Sequence, residues 1–203
     1  MKSLPFIVLC LSGFLFSCGQ SHQKHKPNPA AVRLNDQAIG LEAFNNMDSL
    51  RKALALLDSA TSLDSNYFLG YYNKLSVLNQ LKDYDRAIQT ANHLIRLRPM
   101  ANDLYSACAI LYEKTGDTTA AKTYFTKSLS ICNAVLDTMS RKNPSYDMLL
   151  LNKSVSMIML GDSATGNQLL TQLNERHQAD GWKELIAPFM GKSRKEIIEE
   201  LFK

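Results

Sequence analysis

Between positions 85 and 98, apolar side chains fall at Ala87, Ile88, Ala91, Leu94, Ile95 and Leu97, with Arg, Gln, Thr, Asn and His between them. Gaps of three and four residues place these positions on one stripe of a helix. The pattern returns along the chain. A step of 34 residues carries Ala53 to Ala87 to Ala121, Lys82-Asp83 to Gly116-Asp117, and Tyr71 to Tyr105. A fourth copy runs through residues 149–173, with Gly161-Asp162 lying 45 residues beyond Gly116-Asp117 and Gly166 standing where the others carry Ala. Each copy predicts two helices joined by a tight turn, with the tiny residue where the two backbones approach most closely. Asp83, Thr118 and Ser163 are suited to cap the second helix of their copies. The first copy is faint. Leu34–Met47 has no aromatic opening, its turn is Asp48-Ser49, and Ala53, Leu57, Ala60 and Leu63 carry most of the signal.

Two stretches depart from the period. The 11 additional residues near 134–144, "AVLDTMSRKNP", keep apolar positions at Ala134, Val135, Leu136 and Met139 before Asn143-Pro144. They amount to about three helical turns and predict an elongated second helix in the third copy; an irregular loop from Cys132 is the alternative. After the fourth copy, Trp182, Leu185, Ile186, Phe189 and Met190 form one stripe that Pro188 bends or ends. A second stripe, Ile197, Ile198, Leu201 and Phe202, starts at Ser193. Met148, Leu151, Val155, Ile158 and Met159 on the fourth copy are all apolar and need a cover. Residues 182–202 are expected to supply it, leaving the second and third copies open.

The opening Tyr71, the Lys82-Asp83-Tyr84 turn, Ala87 and the closing Pro99 together resemble the tetratricopeptide repeat family, and the resemblance extends over about residues 32–178. It implies an all-α fold, a right-handed superhelix of about four helix-turn-helix repeats (32–66, 67–101, 102–146 and 147–178), with capping helices in 179–203. It also implies that the first helices line a concave groove that binds a protein or an extended peptide. By position that groove presents Tyr72, Ser76, Asn79 and Gln80 from the second repeat, and Asp103, Ser106, Ile110, Glu113 and Lys114 from the third. Asn73 and Asn152 match the place where many such repeats hold a peptide backbone with asparagine. The third repeat has Ala107 there and the first has Ile39, so the ladder is broken. The Lys and Arg pattern that clamps a chaperone's terminal carboxylate is absent.

The chain begins Met1-Lys2 and then runs apolar from Leu4 to Phe16. That run is shorter than the roughly 20 residues that span a bilayer, and its layout is that of a secretory signal. Leu15-Phe16-Ser17-Cys18 resembles the lipobox of bacterial lipoproteins, although Phe16 stands where a small or aliphatic residue is preferred. The resemblance implies a signal peptide over 1–17 and acylation of Cys18. It further implies anchoring in a bacterial envelope membrane, and the residues just after Cys18 are not acidic, as the tethers of exported surface lipoproteins often are, which favours the periplasmic face. An ordinary signal peptide with an incidental cysteine is the alternative. Residues 18–31, polar and basic with two closely spaced prolines, read as a tether.

Composition narrows the function further. The 203 residues carry 23 Lys+Arg against 19 Asp+Glu, a net charge of +4 with no dense basic block, which argues against nucleic acid as a partner. Cys108 and Cys132 lie in no CxxC pair and have no histidine at zinc-ligand spacing; they read as small apolar core residues rather than a disulfide. Gly191-Lys192-Ser193 lacks the leading glycine of a phosphate loop and reads as a helix start. His93 and His177 lie on different repeats, and no HExxH or GxSxG occurs. No catalytic residue, metal, cofactor or small-molecule substrate is therefore expected. The remaining occupation is binding: a lipid-anchored scaffold for another envelope protein or peptide. A glycan-binding lipoprotein or an accessory of envelope assembly is the alternative. Asp-Ser and Asp-Thr triplets at 48–50, 58–60, 117–119, 137–139 and 162–164 are similar to acceptors of a bacterial O-glycosylation system. Helix caps use the same residue types.

Overall fold

The computed structural model describes residues 25–43, 46–177 and 181–201. The expected signal peptide, Cys18 and residues 18–24 of the expected tether lie outside these. Among the described residues every regular element is a helix, and these residues fall into two compact units that divide between Pro99 and Met100.

The first unit contains α1 (Pro29–Glu42), α2 (Met47–Leu63), α3 (Phe68–Gln80) and α4 (Tyr84–Leu97). The second contains α5 (Asn102–Thr115), α6 (Thr118–Leu136), α7 (Tyr146–Met159), α8 (Ser163–Arg176), α9 (Trp182–Ile186) and α10 (Arg194–Leu201). Consecutive helices pair as α1 with α2, α3 with α4, α5 with α6, and α7 with α8.

The repeating pattern of tiny residues has a direct structural cause. Ala53, Ala87 and Ala121, on α2, α4 and α6, are fully buried. Gly166 on α8 is buried as well. A methyl group on Gly166 would lie 2.5 Å from Cγ1 of Ile158 and 2.8 Å from the carbonyl oxygen of Ser154, so α8 meets α7 too closely even for alanine.

The turns repeat as faithfully. Lys82, Gly116 and Gly161 occupy equivalent positions, each in the left-handed region with φ of 59°, 85° and 102°. In each turn the next residue's N–H donates five residues back: Asp83 to Leu78, Asp117 to Tyr112, and Asp162 to Met157. That is the six-to-one hydrogen bond of a Schellman ending. The same aspartate then caps the following helix, its side chain accepting from the N–H of Arg86, Ala120 or Thr165. Asp83 is the expected cap. Thr118 and Ser163 are not; the caps are Asp117 and Asp162, one residue earlier, because the residue leaving the left-handed position already aims its side chain at the orphan amides.

Three further expectations change. α6 is 19 residues long against 14 in α4, so the second helix of the third repeat is elongated, but it stops at Leu136. Residues 137–145 form turns, with Asn143 accepting from the Ser145 N–H. The tether ends sooner than position 31. Asn28 caps α1, whose first residue is Pro29, and residues 25–28 are docked on Asp64 at the end of α2. The helix expected across 182–190 ends at Ile186, ahead of Pro188.

Asp64 is the anchor of the first unit's edge. Its carboxylate accepts from His25 Nε2 at 2.8 Å, from the Asn28 N–H at 2.9 Å and from the Asn66 N–H at 3.0 Å. Burial pushes its pKa up. The Asn28, His25 and Asn66 hydrogen bonds together outweigh that and hold it below the ordinary carboxylate value of 3.8.

Candidate binding face

The first helices hold the predicted binding residues, so the faces of α1, α3, α5 and α7 decide what each unit can bind. On α3, Leu69, Tyr72, Ser76 and Asn79 recur at three- and four-residue spacing along one stripe. Leu69 is 48% exposed, and Tyr72, Asn73, Ser76, Asn79 and Gln80 are half-buried. Three of these polar side chains are held by α1. Asn73 donates to Oδ1 of Asn35 at 2.7 Å, Ser76 donates to Oε1 of Glu42 at 2.8 Å, and Gln80 donates to the same oxygen. Ile39 on α1 is 44% exposed. The face is thus polar, internally braced and accessible, with apolar side chains at Ile39 and Leu69.

Sequence stepping missed Asn35 and Glu42, and the reason is a difference in turn length. Asn73 precedes Ala87 by 14 residues, whereas Asn35 precedes Ala53 by 18. The four extra residues lie between α1 and the body of α2, so a step of 34 lands on Ile39 rather than on the fully buried Asn35.

The second unit differs. Ser106, Ile110 and Glu113 on α5 and Asn152 on α7 are all buried, while Asp103 and Lys114 are half-buried. The expected open groove on the third repeat is therefore closed, for two reasons. Ser106 turns inward to Ser128 of α6 at 2.8 Å, and Ser156 of α7 donates to that same Ser128 hydroxyl. Glu113, whose side chain is 4% exposed, receives Arg194 of α10 at 2.7 Å across 81 residues of sequence. Around this ion pair, Ala109 and Ile110 share one apolar cluster with Leu151, Val155, Ile158 and Met159, and with Ile186, Phe189 and Ile197 of the C-terminal segment. Ile186, Phe189 and Ile197, with Trp182, Leu185 and Ile198 beside them, thus pack on the apolar side chains of α7 and on Ala109 and Ile110 of α5 as well.

The histidines sit in braces. His93 donates to the Ser65 carbonyl at 2.8 Å and stacks on Tyr71 at 4.0 Å between ring centres. His177 bonds Asp147 at 2.7 Å and stacks on Trp182 at 4.3 Å. Arg176 joins the same carboxylate at 2.6 Å, so Arg176 and His177 tie the end of α8 to the start of α7 rather than serving only the α8 carbonyls. Cys108 and Cys132 are free and buried, and burial pushes both thiols up to about 12. Among the described residues no three His, Cys, Asp or Glu side chains group to hold a metal, and no helix is long and apolar enough to cross a membrane.

Comparison with known proteins agrees with this geometry. The tetratricopeptide repeat model matches residues 70–99 and 103–134, which correspond to α3–α4 and to α5 with most of α6. These two segments are similar to tetratricopeptide repeats. Solved structures share the fold at low identity. A MamA RS-1 ArsTM double mutant aligns over 74% of this chain and 78% of its own, with 15% identity and a TM-score of 0.55. MamA from Desulfovibrio magneticus RS-1, residue 41 to its end, aligns over 74% and 77% with 16% identity and a TM-score of 0.52. PilW, described as a widely conserved type IV pilus biogenesis factor, aligns over 86% and 79% with 14% identity and a TM-score of 0.53. No curated protein sequence matches the chain. The expected class, an all-α fold of tetratricopeptide-type helix-turn-helix repeats, is the observed one. Such repeats are the material of protein–protein interaction scaffolds.

Proposed function

We propose that this protein is a lipid-anchored scaffold of a bacterial envelope, facing the periplasm, that binds another envelope protein or an extended peptide through its repeats. The observation that carries the reading is the contrast between first helices. α3 presents Leu69, Tyr72, Asn73, Ser76, Asn79 and Gln80 accessible or half-buried, whereas the equivalent positions of α5 and α7 are mostly buried. A face of amide and hydroxyl groups, with Asn73, Ser76 and Gln80 pre-set by Asn35 and Glu42, suits a peptide main chain, which offers alternating donors and acceptors. Anchoring rests on the N-terminal apolar run and on Leu15-Phe16-Ser17-Cys18.

A photo-cross-linking residue at Leu69, used in intact cells, tests the binding face. Capture of one discrete protein species supports the scaffold, and absence of any cross-linked protein refutes it. Mass spectrometry of the mature N-terminus tests the anchor. An acylated Cys18 is expected, and an unmodified terminus elsewhere, with Cys18→Ala still on the membrane, overturns it.

A further inference from the structure

The second unit's face is filled by the chain itself, and the way it is filled resembles the capture of a peptide. Asn167 of α8 binds the main chain of the C-terminal segment from both sides. Its Oδ1 accepts the Gly191 N–H at 2.6 Å, and its Nδ2 donates to the Lys192 carbonyl at 2.9 Å. A side-chain amide paired in this way recognises backbone, whatever the side chains it carries. Specificity comes from the residues on either side. Ile186 and Phe189, three apart, insert on one side of the clamp; Arg194 and Ile197, also three apart, insert on the other.

On α7, beside the docked segment's apolar contacts, a buried group is left unsatisfied. Asn152 of α7 is 5% exposed, and its carbonyl oxygen has no hydrogen-bond partner among the described residues. It shares a helix face with Val155 and Met159, three and seven residues on, both in the cluster that receives the C-terminal segment. A buried acceptor without a donor costs free energy that an occupant offering an N–H there would recover. The resident segment is therefore a partial match to its own site.

We propose that the face of α5, α7 and α8 is a second peptide-binding site. Residues 182–201 are its resident occupant, and an incoming partner segment must displace them. The inference deepens the scaffold reading and rests on it. The partner chemistry is mirrored by the resident segment. It is an apolar pair three residues apart, an exposed main-chain turn for Asn167, and then a cation opposite Glu113 followed by an apolar residue. An acidic segment is excluded, because it would place like charge against a Glu113 carboxylate that is almost entirely out of water.

The test uses the full chain and a fluorescein-labelled synthetic peptide of residues 182–203. Two separate variants, Arg194→Glu and Ile197→Glu, each weaken the docked segment through a different contact. In both, hydrogen exchange at residues 182–201 should accelerate at least tenfold while the amides of α5–α8 stay protected. The peptide should bind each variant at least tenfold more tightly than it binds the unmodified protein. Adding Glu113→Arg to Ile197→Glu should abolish that gain. Unchanged exchange in both variants overturns the proposal, as does an opened segment with no gain in peptide binding. Cross-linking from Leu69 in cells and peptide exchange in the purified chain are independent readouts, so either reading can fail alone.

Discussion

Two glycines in helices make a matched experiment, because the same substitution should change stability in opposite directions. Gly40 lies inside α1, is exposed, and a Cβ there meets nothing within 4 Å. Gly40→Ala should therefore gain most of the helix-propensity difference, about 0.8–1 kcal/mol. Gly166 lies inside α8, where the added Cβ meets Ile158 Cγ1 at 2.5 Å and the Ser154 carbonyl oxygen at 2.8 Å. Ordinary contact begins at 3.4 Å, so the helices must part by 3.4 − 2.8 = 0.6 Å for the carbonyl alone. Ile158 can turn a methylene aside, but the Ser154 carbonyl is part of the α7 backbone. Overpacking of this kind costs about 1–3 kcal/mol. Moving α8 outward also thins the contacts of Leu170 and Leu173, both fully buried, since a gap of roughly 0.5–1 Å forfeits a quarter to a half of each contact. The clash outweighs the propensity gain, and Gly166→Ala should destabilise by about 1–2 kcal/mol, or roughly 5–10 °C in a domain of this size. Urea titrations followed by circular dichroism measure both variants. The reasoning is refuted if Gly166→Ala is as stable as the unmodified protein, or if Gly40→Ala is the weaker of the two.

Further expectations follow from single contacts. Lys82 holds a left-handed conformation that its repeat equivalents assign to glycine; Lys82→Gly should raise stability by about 1 kcal/mol, read as a higher urea midpoint. Asp64 has a lowered folded pKa, so its contribution is present above the ordinary carboxylate value of 3.8 and fades as pH falls through the lower folded value. The melting temperature of the unmodified protein should drop more steeply below about pH 4 than that of Asp64→Asn, and parallel curves would contradict this. Cys108 and Cys132, buried with thiols pushed up to about 12, should resist a thiol reagent in the native protein and react together on unfolding. Glu113→Ala should leave Arg194 without its carboxylate and accelerate hydrogen exchange across 194–201; equal protection would show that the apolar contacts alone hold the segment.

The repeat was legible because the residues that encode it answer to local rules. A tiny residue where helices cross, a left-handed residue at the turn and an aspartate after it are each demanded by backbone geometry, so they recur at fixed spacing. The caps shifted by one residue because Asp-Thr and Asp-Ser both offer capping groups, and only the turn geometry chooses between them. What the sequence hid is nonlocal. Asn35 and Glu42 pair with α3 across 38 and 34 residues, behind a first repeat whose turn is four residues longer than the period. Arg194 reads as one more exposed basic residue beside Lys192 and Lys195, until folding brings Glu113 to it. No periodicity records a contact made once.

The polarity of the first helices explains why one face stays open and the other does not. On α3 the stripe carries Asn73, Ser76, Asn79 and Gln80, and Glu42 and Asn35 satisfy three of these groups at the surface. Covering such a face would require a new partner for every polar atom, and a generic apolar segment has none to give. On α7 the stripe is Leu151, Val155, Ile158 and Met159, interrupted by Asn152 alone. Leaving that stripe in water would forgo about 1.5–3 kcal/mol for each large side chain, so the chain's own Ile186, Phe189 and Ile197 are drawn onto it. The ion pair with Glu113 and the Asn167 clamp then set where along the stripe they sit. An apolar stripe alone would accept many registers. A buried carboxylate needs one cation at one place, and an amide clamp needs a main chain at one height. Together they turn a greasy face into a site with a defined occupant, and the unpaired Asn152 oxygen marks where a better occupant would gain.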